Sequence, residues 1–180
     1  MSIRRLLLLL CLAFNLSPSY GFAVKDSCYL KAFEEITDML DRKTELNLKR
    51  AVFLPEWAYH GGKLNYEVYC ATIESLGKTL TDFMVLNGLD KHPIGGNIAL
   101  FEYFTNPCPL NDYKAYDYDF EDFRGEEDQT KTFVTKLMIT HSGQCRSLPL
   151  LYKILCARFF EFVRIVRERQ FHFGYHAAQP

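Results

Sequence analysis

Most motifs that announce an enzyme class are missing from this chain. There is no HExxH and no GxSxG, so neither a zinc protease nor a serine hydrolase has support. Gly95-Gly96-Asn97 lacks the G-K-[ST] continuation and a preceding strand, which removes a phosphate loop. No two cysteines are spaced as CxxC and no histidine stands at metal-finger spacing, so a structural zinc site is not expected, nor is any other metal or cofactor. The formal net charge is -1 and the body carries no basic stripe, which argues against a nucleic-acid partner. No apolar run reaches the ~20 residues that span a bilayer, and no self-similarity appears at solenoid spacing.

What is present at the start is the grammar of export. Arg4 and Arg5 form a positive region, Leu6 to Leu16 is an almost unbroken apolar run, and Pro18 precedes small residues. Cleavage is expected before Val24, or before Phe22, so residues 1-23 read as a signal peptide. Cys11 does not suit a lipid anchor, because Leu10 stands where a small residue is required. An exported protein follows, periplasmic or secreted, without stable membrane insertion after cleavage. Five cysteines remain, Cys28, Cys70, Cys108, Cys145 and Cys156, an odd number that leaves at least one thiol unpaired within the chain. Cys145 and Cys156, if on one helix, stand about 16 Å apart and cannot pair.

Periodicity predicts a mainly helical body of about five to seven helices. The first runs from Cys28 to about Glu45, with Leu30, Phe33, Ile36 or Thr37, and Leu40 as its apolar face. A second spans residues 46 to 59, interrupted at Pro55 and closed by Gly61-Gly62. The third begins near Asn65, with Tyr66, Tyr69 or Cys70, Ile73, Leu76, Leu80 and Phe83 facing inward, Gly77 as a weak point and Asn87-Gly88 as the stop. A short helix follows from Asn97 to Phe104. The acidic, aromatic stretch Asn111 to Asp128 reads as extended chain or loop with its aromatics inward, and it fails the calcium-loop pattern at Asp122 and Asp128. Thr130 to Thr140 is helical again, with Phe133, Leu137 and Met138 on one face.

The chemically suggestive segment is Gly143-Gln144-Cys145-Arg146-Ser147-Leu148-Pro149-Leu150-Leu151-Tyr152-Lys153-Ile154-Leu155. Leu148, Leu151, Tyr152 and Leu155 repeat as one helix face, and Pro149 confines the helix start to the neighbourhood of Cys145. A cysteine there meets free backbone N–H groups that favour a thiolate and can hold an oxyanion, with Gly143 allowing the turn. The bland alternative is an inert buried cysteine. This segment resembles the nucleophile segment of bacterial exported transglutaminase-like proteins, with a pattern close to G-x-C-x-S-L-P-x-L-Y-K-I-L. Residues 49-59, Lys-Arg-Ala-Val-Phe-Leu-Pro-Glu-Trp-Ala-Tyr, and 133-138, Phe-Val-Thr-Lys-Leu-Met, are similar to other parts of those proteins.

The resemblance implies the helical front part of an α+β papain-like fold, with Cys145 as nucleophile toward a peptide or protein amide substrate. The strands and A-P-N-H-like segment that supply the family's base have no counterpart after Leu155, so the domain at 24-157 is expected to be incomplete. Supporting roles fall to His141, four residues before the cysteine, or to His172 and His176, one helical turn apart. The tail at 158-180 carries only arginine as its basic residue, a break in composition that suggests either a shifted reading frame or a native helix through Phe159, Phe162 or Val163, and Val166. Two functions are carried forward: a transglutaminase-like thiol acyl-transferase or amide hydrolase, and a non-catalytic exported helical binding or scaffold module.

Overall fold

The computed structural model describes residues 19-157, with side chains from residue 26 onward. Most of the leader at 1-23, and the whole tail at 158-180 with His172 and His176, lie outside the described residues. The protein is mainly helical, and two compact units divide at Asn65/Tyr66.

In the first unit, α1 (Ser19–Leu40) packs on α2 (Leu48–Tyr59). The core joins Cys28, Ala32 and Met39 of α1 to Leu54 and Ala58 of α2, with Ile36, Ala51 and Trp57 against it. This face is not the one the large apolar residues suggest. Leu30, Phe33 and Leu40 are 59%, 67% and 71% exposed. The small side chains of Ala32, Ala51 and Ala58 let the two helices approach closely, so the stripe through Cys28, Ala32, Ile36 and Met39 is buried instead. Arg50 grips Glu35 with both ends of its fork, at 2.6 and 2.8 Å, and tethers the start of α2 to the middle of α1. Asn47 caps α2 by accepting the Arg50 amide at 3.0 Å.

Pro55 does not interrupt α2, which continues to Tyr59. The lost N–H leaves one carbonyl unpaired in the ladder, and burial of Phe53, Leu54 and Ala58 on either side offsets that loss. Gly61 then closes the helix as expected: with φ +61° it donates to Ala58, while Gly62 donates to Trp57, the paired bonds of a Schellman cap. α1 ends in the same motif, but with Arg42 at φ +61° in the left-handed position.

In the second unit, α3 (Tyr66–Leu86) buries Tyr69, Ile73, Gly77, Leu80, Thr81 and Met84. Leu76 and Phe83 are half-buried, and Gly77 is an interior helical position rather than a weak point. Gly88 stops the helix at φ +67°. After a short 3-10 turn (Leu89–Lys91), α4 (Gly95–Thr105) starts two residues earlier than its sequence suggests. Gly95 must approach the backbone here: a Cβ would stand 1.9 Å from the Leu89 carbonyl oxygen. Ala99, Leu100, Tyr103 and Phe104 form the buried face of α4.

The chain then turns irregular. A 3-10 turn (Pro109–Asn111) leads to β1 (Asp117–Tyr118), and a second (Gln129–Thr132) leads to α5 (Val134–Thr140), shorter than the expected 130-140 helix because Phe133 is extended. β2 (Ser142–Gly143) pairs in parallel with β1, Asp117 opposite Ser142 and Tyr118 opposite Gly143. The last described helix, α6, covers 147-157 and meets α4 where the Phe104 and Tyr152 rings stand 5.6 Å apart. Its buried residues are Ser147, Leu151, Ile154 and Leu155, with Leu148 and Tyr152 only half-buried, so the inward face is rotated toward Ser147. No helix among the described residues is long and apolar enough to cross a membrane.

Two substitutions test these backbone assignments by thermal unfolding. Gly95→Ala is expected to destabilise by about 1–3 kcal/mol, because its methyl overlaps a main-chain carbonyl rather than a movable side chain. Arg42→Gly is expected to stabilise by about 0.5–1 kcal/mol by relieving the left-handed position.

Candidate functional site

The segment around Cys145 is assembled from α5, β2 and the irregular chain before them. Asn111, fully enclosed, begins the assembly. Its Nδ2 donates to the Tyr103 and Asn106 carbonyls at 2.7 and 2.8 Å, and its Oδ1 accepts the Cys108 amide at 2.9 Å, so one side chain ties the end of α4 to the chain that follows, while the Tyr116 amide serves the Phe104 carbonyl. The chain next places Tyr116 against Phe104, with ring centroids 4.6 Å apart, and its hydroxyl 3.0 Å from that of Tyr103. Burial pushes the pKa of both phenols up.

His141 lies flat on the other side of Tyr116, at 4.4 Å and 16°. Its Nδ1 is 2.6 Å from the Lys114 carbonyl, while Lys114 Nζ donates to the Thr140 carbonyl at 2.7 Å. A carbonyl only accepts, so Nδ1 is the donor, and Nε2 is the nitrogen left to carry the lone pair of a neutral tautomer. The His141 carbonyl accepts the Asp117 amide, and the Gly143 carbonyl accepts the Asp119 amide, both at 2.8 Å. Gly143 is not in the left-handed region, contrary to the turning role expected of it. It is small because a Cβ there would lie 2.6 Å from Ser147 Oγ and 2.7 Å from Leu137 Cδ1.

Gln144 and Ser147 bracket the cysteine, with 1% and 0% exposure. The Gln144 amide donates to Ser147 Oγ at 3.0 Å, and the Gln144 carbonyl accepts the Leu148 amide at 3.1 Å. This is the back-reaching half of a capping box, so helical hydrogen bonding begins at Gln144. The ladder then misses one rung, because Pro149 has no N–H to offer the Cys145 carbonyl. Cys145 occupies the resulting turn, exposed, two residues before α6. Among the described residues, no hydrogen bond reaches its Sγ, and no acceptor is bonded to the backbone N–H of Cys145 or Arg146.

The acidic loop lies against this turn. Gln144 Nε2 donates to the Asp122 carbonyl, and Ser147 Oγ donates to the Lys131 carbonyl at 3.1 Å. The loop is held by its own carboxylates. Asp122, buried, accepts the amides of Glu126, Glu127 and Asp128 at 2.9, 3.3 and 2.9 Å. Asp119 accepts the Glu121 and Asp122 amides, each at 3.1 Å, and pairs with Lys131 at 2.6 Å. Asp128 binds Lys136 and accepts the Thr130 amide at 3.0 Å. The expected inward set of aromatics is therefore reduced to Tyr116. Phe120 and Phe123 are exposed, because the inward positions go to carboxylates that the backbone N–H groups require. Among the described residues, no cluster of His, Cys, Asp and Glu could hold a metal ion.

Of the sequence-derived site residues, Cys145 and His141 lie on one short connected segment, but no hydrogen bond joins them. His172 and His176 fall outside the described residues. The five described cysteines are all free thiols: Cys28 is buried, Cys70, Cys108 and Cys156 are half-buried, and burial pushes the Cys156 thiol up. Asp122, Gln144 and Ser147 were not singled out from the sequence; only the Gln144-x-x-Ser147 spacing is a local sign of a cap. No family model, curated protein or solved structure matches the chain.

The carboxylates fix the acid response of the loop. Lys131 lowers the pKa of Asp119, the Asp128 amide leads in lowering that of Asp122, and Lys136 lowers that of Asp128 to about 2. Folded values lie below the unfolded ones, so the contribution to stability is complete above the ordinary carboxylate range and lost as pH falls through the lowered values. Protection of the Glu126, Glu127 and Asp128 amides against hydrogen exchange, corrected for intrinsic rates, is expected to persist through the ordinary carboxylate range near about pH 4 and to be lost as the pH falls further, through the lowered value of Asp122. Unchanged protection across that range would show that charge does not hold the loop.

Proposed function

We propose that this chain is a transglutaminase-like thiol protein in which Cys145 attacks a peptide or protein amide. The observation that carries the proposal is an exposed thiol at the amino end of α6, set between two buried, hydrogen-bonded residues, Gln144 and Ser147. The unbonded amides of Cys145 and Arg146 supply N–H donors for a developing oxyanion. In the reaction the thiolate adds to the carbonyl carbon, the C–N bond breaks and the amine leaves with a proton. Water or a second amine then cleaves the thioester and returns the thiolate. His141, oriented through Nδ1 by the Lys114 carbonyl, keeps Nε2 as a base on the same segment, and it reaches the thiol only if the turn at 141-145 moves or a water intervenes.

A second reading is favoured by the lack, among the described residues, of a hydrogen bond between Cys145 and a base. In that reading the chain is a non-catalytic helical binding or scaffold module, presenting exposed apolar residues such as Phe120 (76%) and Ile139 (82%). Export, by the leader at 1-23, is part of both readings.

Alkylation by iodoacetamide separates them. If the first holds, one thiol reacts at neutral pH at least about tenfold faster than glutathione. Cys145→Ser removes that phase, and His141→Ala slows it. A Cys145 no faster than glutathione and indifferent to His141→Ala would leave the binding module.

A further inference from the structure

The proposed chemistry needs Cys145 held in place, yet among the described residues its side chain makes no hydrogen bond. Its neighbours make all of them. Gln144 and Ser147 each reach out of the turn to a main-chain carbonyl of the acidic loop, 22 and 16 residues away in sequence. Those carbonyls, of Asp122 and Lys131, belong to a loop whose geometry is set by the Asp122 carboxylate and its three amide donors, and by the Asp119–Lys131 pair. Gly125 closes the arrangement, its Cβ position lying 3.3 Å from Gln144 Oε1.

We infer that Gln144 and Ser147 are positioning residues for Cys145, and that the loop from Asp119 to Lys131 is the strap to which they are tied. The strap matters because α6 has a weak start. Pro149 removes one rung of the ladder at the cysteine, and a free helix end frays. Two long-range bonds add to the local Gln144–Ser147 cap, and the one from Gln144 to Asp122 joins buried polar groups that have no water to fall back on. The inference rests on reading Cys145 as the reactive group, and its test adds amide exchange, which is read independently of reactivity.

Gln144→Leu removes the bond to Asp122, and Ser147→Ala removes the bond to Lys131. Each is expected to change the Cys145 alkylation rate by several fold, leave Cys70 and Cys108 unaffected, and speed exchange of the Leu148 amide. Gln144→Glu adds a reading that a merely structural role would not give. Ionised at neutral pH, its carboxylate faces the Asp122 carbonyl and the strap opens. Burial at this position and the facing carbonyl both disfavour the charge, so the carboxyl takes up its proton at higher pH than the lowered loop carboxylates do; it then donates again and protection of Leu148 returns.

If these variants do not fold, Asp122→Asn in the otherwise unchanged chain serves instead. A strap requires the Gln144 amide to exchange faster, and not only those of Glu126 to Asp128. Variants that fold and leave both the Leu148 exchange and the Cys145 rate within about twofold of wild type would overturn the inference, as would Asp122→Asn acting on residues 126-128 alone. A reactive Cys145 without this coupling sinks the strap only. An inert Cys145 with the coupling intact sinks the acyl-transfer reading only.

Discussion

Between α4 and α6 only the short α5, two 3-10 turns and a two-residue ladder give the backbone regular partners, and that constraint organises the second unit. Four enclosed polar side chains do the work that a sheet or helix would otherwise do. Asn111 closes α4, Asp122 gathers three successive amides, and Gln144 and Ser147 fasten the start of α6. An unpaired buried amide or carbonyl costs about 1–3 kcal/mol; Asn111 and Asp122 each satisfy three such groups, Ser147 two and the Gln144 side chain one. The two-residue parallel ladder of β1 and β2 is too short to hold the segment alone. It works because Tyr116 and His141 stack immediately before it and Gly143, within it, lies against Leu137.

The same constraint shapes the environment of Cys145. Cys145 and Arg146 face outward while the residues on either side of them are engaged inward: Gln144 and Ser147 are bonded to the loop, and His141 is held flat on Tyr116. A helix start with a missing rung, two unbonded amides and a fixed frame is suited to holding charge on an incoming oxygen. The same features are compatible with a purely structural turn, which is why the chemistry rests on the thiol rather than on the fold.

Helices were legible in the sequence because glycine, proline and apolar period mark them, and the ends at Gly61 and Gly88 were found where expected. Their faces were less legible. In α1 the largest apolar residues, Phe33 and Leu40, are outside, while Ala32 and Cys28 are inside. In α6 the inward face includes Ser147, which no hydropathy scale would choose. A pattern weighted by side-chain size misses cores made by close approach of small residues. It also misses polar residues buried for hydrogen bonds. The position of Cys145 at the amino end of α6 could be read because Pro149 limits where that helix begins, a local rule needing no partner.

By itself the sequence determined the mainly helical character, the punctuation between helices and the placement of the cysteine before α6, since all three follow from backbone preferences acting within a few residues. Tertiary structure alone decided which face of α1 is buried, which acidic residues turn inward, and that Gln144 and Ser147 hold the cysteine's turn. Those outcomes depend on hydrogen bonds such as Gln144 to Asp122, whose partners lie 22 residues apart and leave no local pattern.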